Sequence, residues 1–262
     1  MNWLRLISVF SLTILVVPVF LLIYEGFGPL SEPIGYSYEV FRAIELTLIS
    51  SAVSSAISVA VFTPLAYYLA RNKNSLGETL SAIPASIPHP IIGVAILVIV
   101  SPLTPFGRFL LSVGINFFNT YLGLITALTI VSAPIYINSM QLFFQSMNVA
   151  HENYALGLGA SKFRTFISVA LPNAGRGILS ASLISMSRAM SEFGSISIVA
   201  YYVLQQPFYG VNPAPVLIFQ YYTYYGLGAA VTASAVMILV SIAMMIILRL
   251  VKQDNSKWMK GD

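Results

Sequence analysis

Ala150 to Pro172 reads AHENYALGLGASKFRTFISVALP, a polar, glycine-punctuated stretch in a chain that is otherwise almost all hydrocarbon. Asn148 to Leu158 is rich in helix formers, which predicts a short helix there. Gly159 can take the left-handed turn that ends such a helix, and Ser161 suits the N-cap of a second one running through Phe166. Pro172 then marks a break before the next apolar run. The expectation is a helix-turn-helix over 148–172, lying across a membrane surface and offered to a partner.

The rest of the chain supplies the membrane. Its 262 residues are 57% hydrophobic and only 8% charged, with a mean hydropathy of +0.83, whereas a soluble domain carries about 25% charge. This composition is that of an integral membrane protein, read as a single transmembrane domain over 1–262. The absence of cysteine excludes disulfides, thiolate metal sites and cysteine nucleophiles. The two histidines have no metal-ligand spacing with another candidate, so no metal site is expected.

Six segments are long and apolar enough to cross a bilayer as helices, at about 6–24, 43–70, 80–100, 121–144, 177–203 and 227–250. The first is read as a retained span, because Tyr24-Glu25-Gly26 is a poor match to a small-residue cleavage site. The third holds Pro84, Pro88 and Pro90, which predicts a kink or a break. The last opens on Gly226, Gly228, Ala229 and Ala230, a small-residue face suited to packing against another helix, a second copy of the chain included.

The net charge of +4 reports topology and not nucleic-acid binding. Arg5, Arg71, Lys73, Lys162, Arg164, Arg176, Arg249, Lys252, Lys257 and Lys260 fall on the side of the termini. Only Arg42 and Arg108 fall on the other side, and Arg188 lies inside a span. By the positive-inside rule the termini and the 148–172 loop are cytoplasmic.

The loop resembles the cytoplasmic loop of type I binding-protein-dependent ABC importer permeases. That pattern is Glu-Ala-Ala, three residues, Gly, nine residues, then Ile-x-Leu-Pro. With Gly159 as anchor, Ala155 takes the second alanine, Val169 the Ile position, and Leu171 and Pro172 the final pair. Asn153 stands at the acidic position and Tyr154 at the first alanine, with Glu152 one residue early. The resemblance implies an all-α permease of six transmembrane helices in the cell membrane, with a coupling helix between the fourth and fifth spans. It makes Glu152, Asn153, Ala155, Gly159, Ala160, Ser161, Leu171 and Pro172 the ATPase-coupling residues. The chain has no P-loop of its own, so ATP and Mg belong to a partner, and no cofactor is expected here.

A second resemblance concerns cargo. Ser185-Met-Ser-Arg-Ala-Met-Ser-Glu-Phe-Gly194 looks like the fifth-span signature of the oxyanion importers. Ile87-Pro-His-Pro90 and Thr63-Pro-Leu-Ala66 agree with the molybdate and tungstate branch. That branch implies a second copy of the chain, two ATP-binding cassette subunits and an extracytoplasmic oxyanion-binding protein. His89, Arg188, Ser191, Glu192 and Gly194 are the candidates for a translocation path or gate. From the residues alone, Arg188 and Glu192 lie four apart on a helix, so they share a face and can pair, which also suits a purely structural brace. His89 between two prolines equally suits a satisfied structural role.

Three other functions are weaker. A sulfate or thiosulfate permease of the same class shares most of these features. An ion-coupled secondary transporter needs midplane carboxylates, for which only Glu45 and Glu192 qualify, and leaves the loop unexplained. An intramembrane enzyme lacks a paired Asp, a Ser/His dyad or a zinc motif.

Overall fold

The computed structural model describes residues 2–72 and 74–258. Lys73 and Lys260, counted above among the basic residues of the terminal side, lie outside the described residues, as do Met1, Met259, Gly261 and Asp262 and the side chains of Arg249, Lys252 and Lys257. The chain opens with α1 (Asn2–Phe27), a 3-10 turn (Pro33–Tyr36) and α2 (Tyr38–Arg71). There follow α3 (Ser75–Ser86), α4 (His89–Val100), α5 (Pro105–Ser112) and α6 (Tyr121–Ser146). The loop holds α7 (Ala150–Gly157), α8 (Lys162–Thr165), a π turn (Phe166–Ala170) and α9 (Leu171–Asn173). The last elements are α10 (Gly175–Met190), α11 (Ile196–Val199), α12 (Ala214–Tyr225) and α13 (Leu227–Trp258). Among the described residues, β pairing is limited to a bridge between Val203 and Val211.

These elements form two compact units, one of Met1–Ile44 with Ala214–Asp262, the other of Glu45–Pro213. In the first, α1 packs on α13, yet none of its apolar window is buried. Contact is made through small residues: Ala229, Ala233 and Ala235 of α13 are fully or almost fully buried. A Cβ added to Gly26 would lie 2.6 Å from that of Ala235. The Glu32 N–H donates to Thr232 Oγ1 at 3.0 Å, and the Tyr36 hydroxyl donates to the Gly26 carbonyl at 3.1 Å. The small-residue face of the last helix is thus filled from within the chain.

The second unit is organised by α6, whose Leu124, Leu128, Val131, Tyr136, Met140 and Phe144 are all at most 2% exposed. Against it lies the face of α2 that carries Ser50, Ser51, Ser54, Ser55 and Ser58, all buried. Small side chains let backbones approach, and in hydrocarbon their hydroxyls need partners. Most find one: Thr129 donates to Ser54 at 3.2 Å, Ser55 donates to the Ser182 carbonyl at 2.7 Å, and Thr63 and Tyr136 share a bond at 2.6 Å. Beneath them Leu69, Phe144, Phe166 and Ala174 extend one apolar cluster from α2 and α6 to the loop.

Among the described residues, three helices are long and apolar enough to cross a membrane, namely Trp3–Phe27, Tyr38–Arg71 and Tyr121–Ser146. Two more candidates are bent pairs: α3 with α4 turn through 102°, and Lys162–Asn173 with α10 through 76°. Leu227–Ala243 is a shorter apolar helix. The break before α4 falls at Ile87 and Pro88, amid the prolines that predicted it. The break expected at Pro172 before the fifth span falls two residues on, at Ala174, with Pro172 in the short α9. One boundary differs from the sequence reading. The helix expected over 177–203 stops at Met190, because Glu192 Oε1 accepts from the Ser195 N–H and hydroxyl at 2.8 and 2.9 Å, a local turn that competes with further helix.

At Gly177 of α10 an added Cβ would overlap the Phe143 ring of α6. Gly177→Ala is expected to lower the melting temperature of the detergent-solubilised chain, at a cost of about 1–3 kcal/mol typical of overpacking. Gly157→Ala, in helix with nothing within 4 Å, leaves it unchanged or raises it.

Candidate functional site

The loop between α6 and α10 has an inward face and an outward one. Gly159 takes φ of +87°, a conformation that side chains resist, and so reverses the chain after α7. Ser161 then accepts from the Arg164 N–H at 3.2 Å as N-cap of α8. Asn153, Gly159, Ser161 and Pro172 are exposed, while Ala155, Ala160 and Leu171 are half-buried. Tyr154, Leu158 and Phe163 stand 72%, 90% and 75% exposed beside Lys162 and Arg164. Large apolar side chains so exposed among cations mark a surface made for contact.

Glu152 points the other way and is 5% exposed. Arg71, the last residue of α2, donates from Nη2 to Glu152 Oε1 at 2.6 Å and from Nε to Oε2 at 2.9 Å. Tyr67, one turn earlier, donates to Oε2 at 2.8 Å. The bond to Arg71 holds the carboxyl below the ordinary carboxylate range, with Tyr67 assisting and burial opposing. Of the two residues competing for the acidic position of the loop pattern, Asn153 therefore faces outward and Glu152 faces the helices. Sequence reading counted Arg71 only as a topological charge. The available signal was the carboxylate itself, which in so apolar a chain needs a cation.

The other predicted residues form one cluster. Arg188 Nη2 lies 3.0 Å from Glu192 Oε2, the i,i+4 pair expected. His89, at the start of α4, joins them, with Nδ1 2.9 Å from Glu192 Oε2 and its ring nitrogens 2.7 and 2.9 Å from Arg188 Nη2. A hydrogen on Nδ1 donates to Glu192 and leaves Nε2 as the ring nitrogen able to accept from Arg188. Arg188 Nη1 also donates to Ser191 Oγ at 3.2 Å. Gly194 closes the group, since a Cβ there would lie 2.9 Å from that of His89. Both Glu192 oxygens and both Arg188 Nη atoms have partners within this chain, and the Glu192 side chain is 0% exposed while those of Arg188 and His89 keep 22% and 30%. The cluster holds no activated nucleophile. Among the described residues no group of three or more acidic residues or histidines is placed to hold a metal ion.

Residues 63–257 match the family of binding-protein-dependent transport system inner membrane components. The chain belongs to this family. It is 34% identical, over 80% of its length and 77% of the relative's, to the molybdate/tungstate transport system permease protein WtpB of Pyrococcus abyssi. It is 28% identical, over 95% of its length and 88% of the relative's, to the sulfate transport system permease protein CysT of Synechocystis. Its fold is that of a subunit in inward-facing structures of the MetNI methionine ABC transporter, at TM-score 0.62 and 18% identity over 87% of this chain and 98% of that one. This inner membrane component is thus a multi-pass membrane protein whose loop and buried cluster sit in a transport scaffold.

A carboxyl depressed by folding contributes stability that is complete above its unfolded pKa and lost as pH falls through the folded one. Melting of the solubilised chain should therefore separate wild type from Glu152→Gln at neutral pH, with wild type higher. The gap should hold down to the ordinary carboxylate range and close only at more acid pH.

Proposed function

We propose that this chain is the permease subunit of an ATP-driven molybdate or tungstate importer. What carries the reading is the 34% identity to the WtpB permease over four fifths of the chain, which exceeds that to the sulfate permease. The path crosses the membrane in six spans, the three long helices, the two bent pairs and α13, with both termini cytoplasmic. Two copies enclose the path, each bound to one ATP-binding cassette subunit, and an external binding protein delivers the oxyanion. ATP and its Mg reside on the partner.

The exposed Tyr154, Leu158 and Phe163 support the coupling role of the loop. They supply the apolar contact that a groove on a cytoplasmic ATPase would cover, with Asn153, Ala155, Gly159, Ala160 and Ser161 shaping the two short helices between them and Leu171 and Pro172 leading into α10. Nucleotide-driven movement of the ATPases then becomes alternating access, a shift between two packings of the same helices. The His89–Arg188–Glu192 cluster serves this cycle as a gate. At rest Glu192 neutralises Arg188; a doubly charged oxyanion competes for the same guanidinium as it passes, and Ser191 and Gly194 fix the turn in which the exchange occurs.

The test is reconstitution of the full chain in liposomes with its ATPase and binding protein. Tungstate or molybdate delivered by the binding protein is expected to stimulate ATP hydrolysis more than sulfate does. No stimulation by either metal oxyanion overturns the substrate assignment, and stimulation by sulfate alone moves the chain to the sulfate branch. Leu158→Glu is expected to abolish copurification of the ATPase. Arg188→Gln is expected to lower tungstate uptake at least tenfold with the ATPase still bound, and full uptake would remove the gate.

A further inference from the structure

One guanidinium ties three helices together at the inner end of the second unit. Arg71 ends α2, and besides its two bonds to Glu152 of α7 it donates from Nη1 to the Phe144 carbonyl of α6 at 2.6 Å. That carbonyl belongs to the last turn of α6, where carbonyls lack intrahelical partners, and the Met147 N–H already shares it. The Arg71 guanidinium also lies 5.6 Å from the centre of the Tyr67 ring. Tyr67 in turn packs on Phe144 and on Phe166 of the π turn, with ring centres 5.3 and 4.8 Å apart. The Arg71 and Glu152 side chains are 17% and 7% exposed. A forked, sheltered pair of this kind has one geometry, unlike a surface ion pair that samples many.

The geometry of this fork points to a role in transmission. We infer that Arg71 is a positioning residue that locks α7 to the ends of α2 and α6, so that force applied to the exposed face of the loop moves both helices as one body. This rests on the loop being the ATPase-coupling element. Glu152 then belongs to the permease side of the joint, and the ATPase meets the loop through the residues on its opposite face. The other polar link between α7 and α2 among the bonds described is the single bond from the Tyr67 hydroxyl to Glu152 Oε2 at 2.8 Å, which ends on the same carboxylate and has no fork. The apolar cluster beneath would still hold the elements together without the fork, but an apolar contact has no direction and allows sliding.

Loss of the fork should therefore uncouple transport without releasing the ATPase. The experiment uses the complete complex in proteoliposomes and counts tungstate entering the lumen per ATP hydrolysed. Arg71→Gln is expected to copurify with the ATPase and to lower that ratio at least tenfold. Glu152→Gln should do the same, and the double variant should be no worse than either single one, because both remove the same joint. Arg71→Lys keeps the charge and loses the fork, so it tests geometry where Arg71→Gln fails to fold; a ratio reduced at least threefold is expected, with the melting temperature held close to wild type. A wild-type ratio in Arg71→Gln or Arg71→Lys overturns the inference, as do additive losses in the double variant or release of the ATPase by Arg71→Lys. A wild-type chain that binds no ATP-binding cassette subunit would remove the coupling role itself, which is a separate result.

Discussion

Helices in hydrocarbon gain little by burying leucine, since lipid tails are as apolar as a protein core, so close association must come from packing and from polar contacts that lipid cannot make. The serine face of α2 answers this constraint. Ser50, Ser51, Ser54, Ser55 and Ser58 bring its backbone against α6 and α10; Thr129 donates to Ser54, Ser55 donates to the Ser182 carbonyl, and further along α2 Thr63 bonds Tyr136. Elsewhere on the same stretch of α2 the large apolar Ile49, Val53 and Ile57 lie exposed, while the hydroxylated face is buried in this seam. Both sites depend on it, because the seam fixes where α2 ends at Arg71 and where α10 presents Arg188.

The two ionic clusters solve one problem in two ways. Each sets a carboxylate among apolar helices, and each supplies an arginine and a further hydrogen-bonding group, Tyr67 in one and His89 in the other. At Arg71 the arginine spans three elements and the contacts are bidentate, the construction of a fixed joint. At Arg188 it contacts Glu192 through one nitrogen and shares it with His89, while Arg188 and His89 keep part of their surface open. A charge held by fewer bonds and left partly open is easier to exchange for another anion.

Features written in local spacing were legible before the fold was known. Gly159 and Ser161 announced the turn and the cap, the prolines near His89 announced the break, and Arg188 four residues before Glu192 announced the pair. Features that depend on distant residues were not. Arg71 and Glu152 are 81 positions apart, and His89 and Arg188 are 99 apart; no periodicity links them, because each partner is selected by how the helices pack. The alanine face of α13 was visible as a packing surface, and Gly26 and the 3-10 turn of the same chain pack on it.

The π turn over Phe166–Ala170 carries one residue more per turn than the α-helices around it. Within the helical run Lys162–Asn173, which ends at a 76° bend, every later position is thereby offset by a single residue, about 100° of rotation around the helix axis. Change at this point of the chain is therefore discontinuous: side chains can be exchanged one at a time, but a length change of one residue would rotate Leu171 off the apolar cluster it packs against while leaving the exposed Tyr154 and Leu158 where they were.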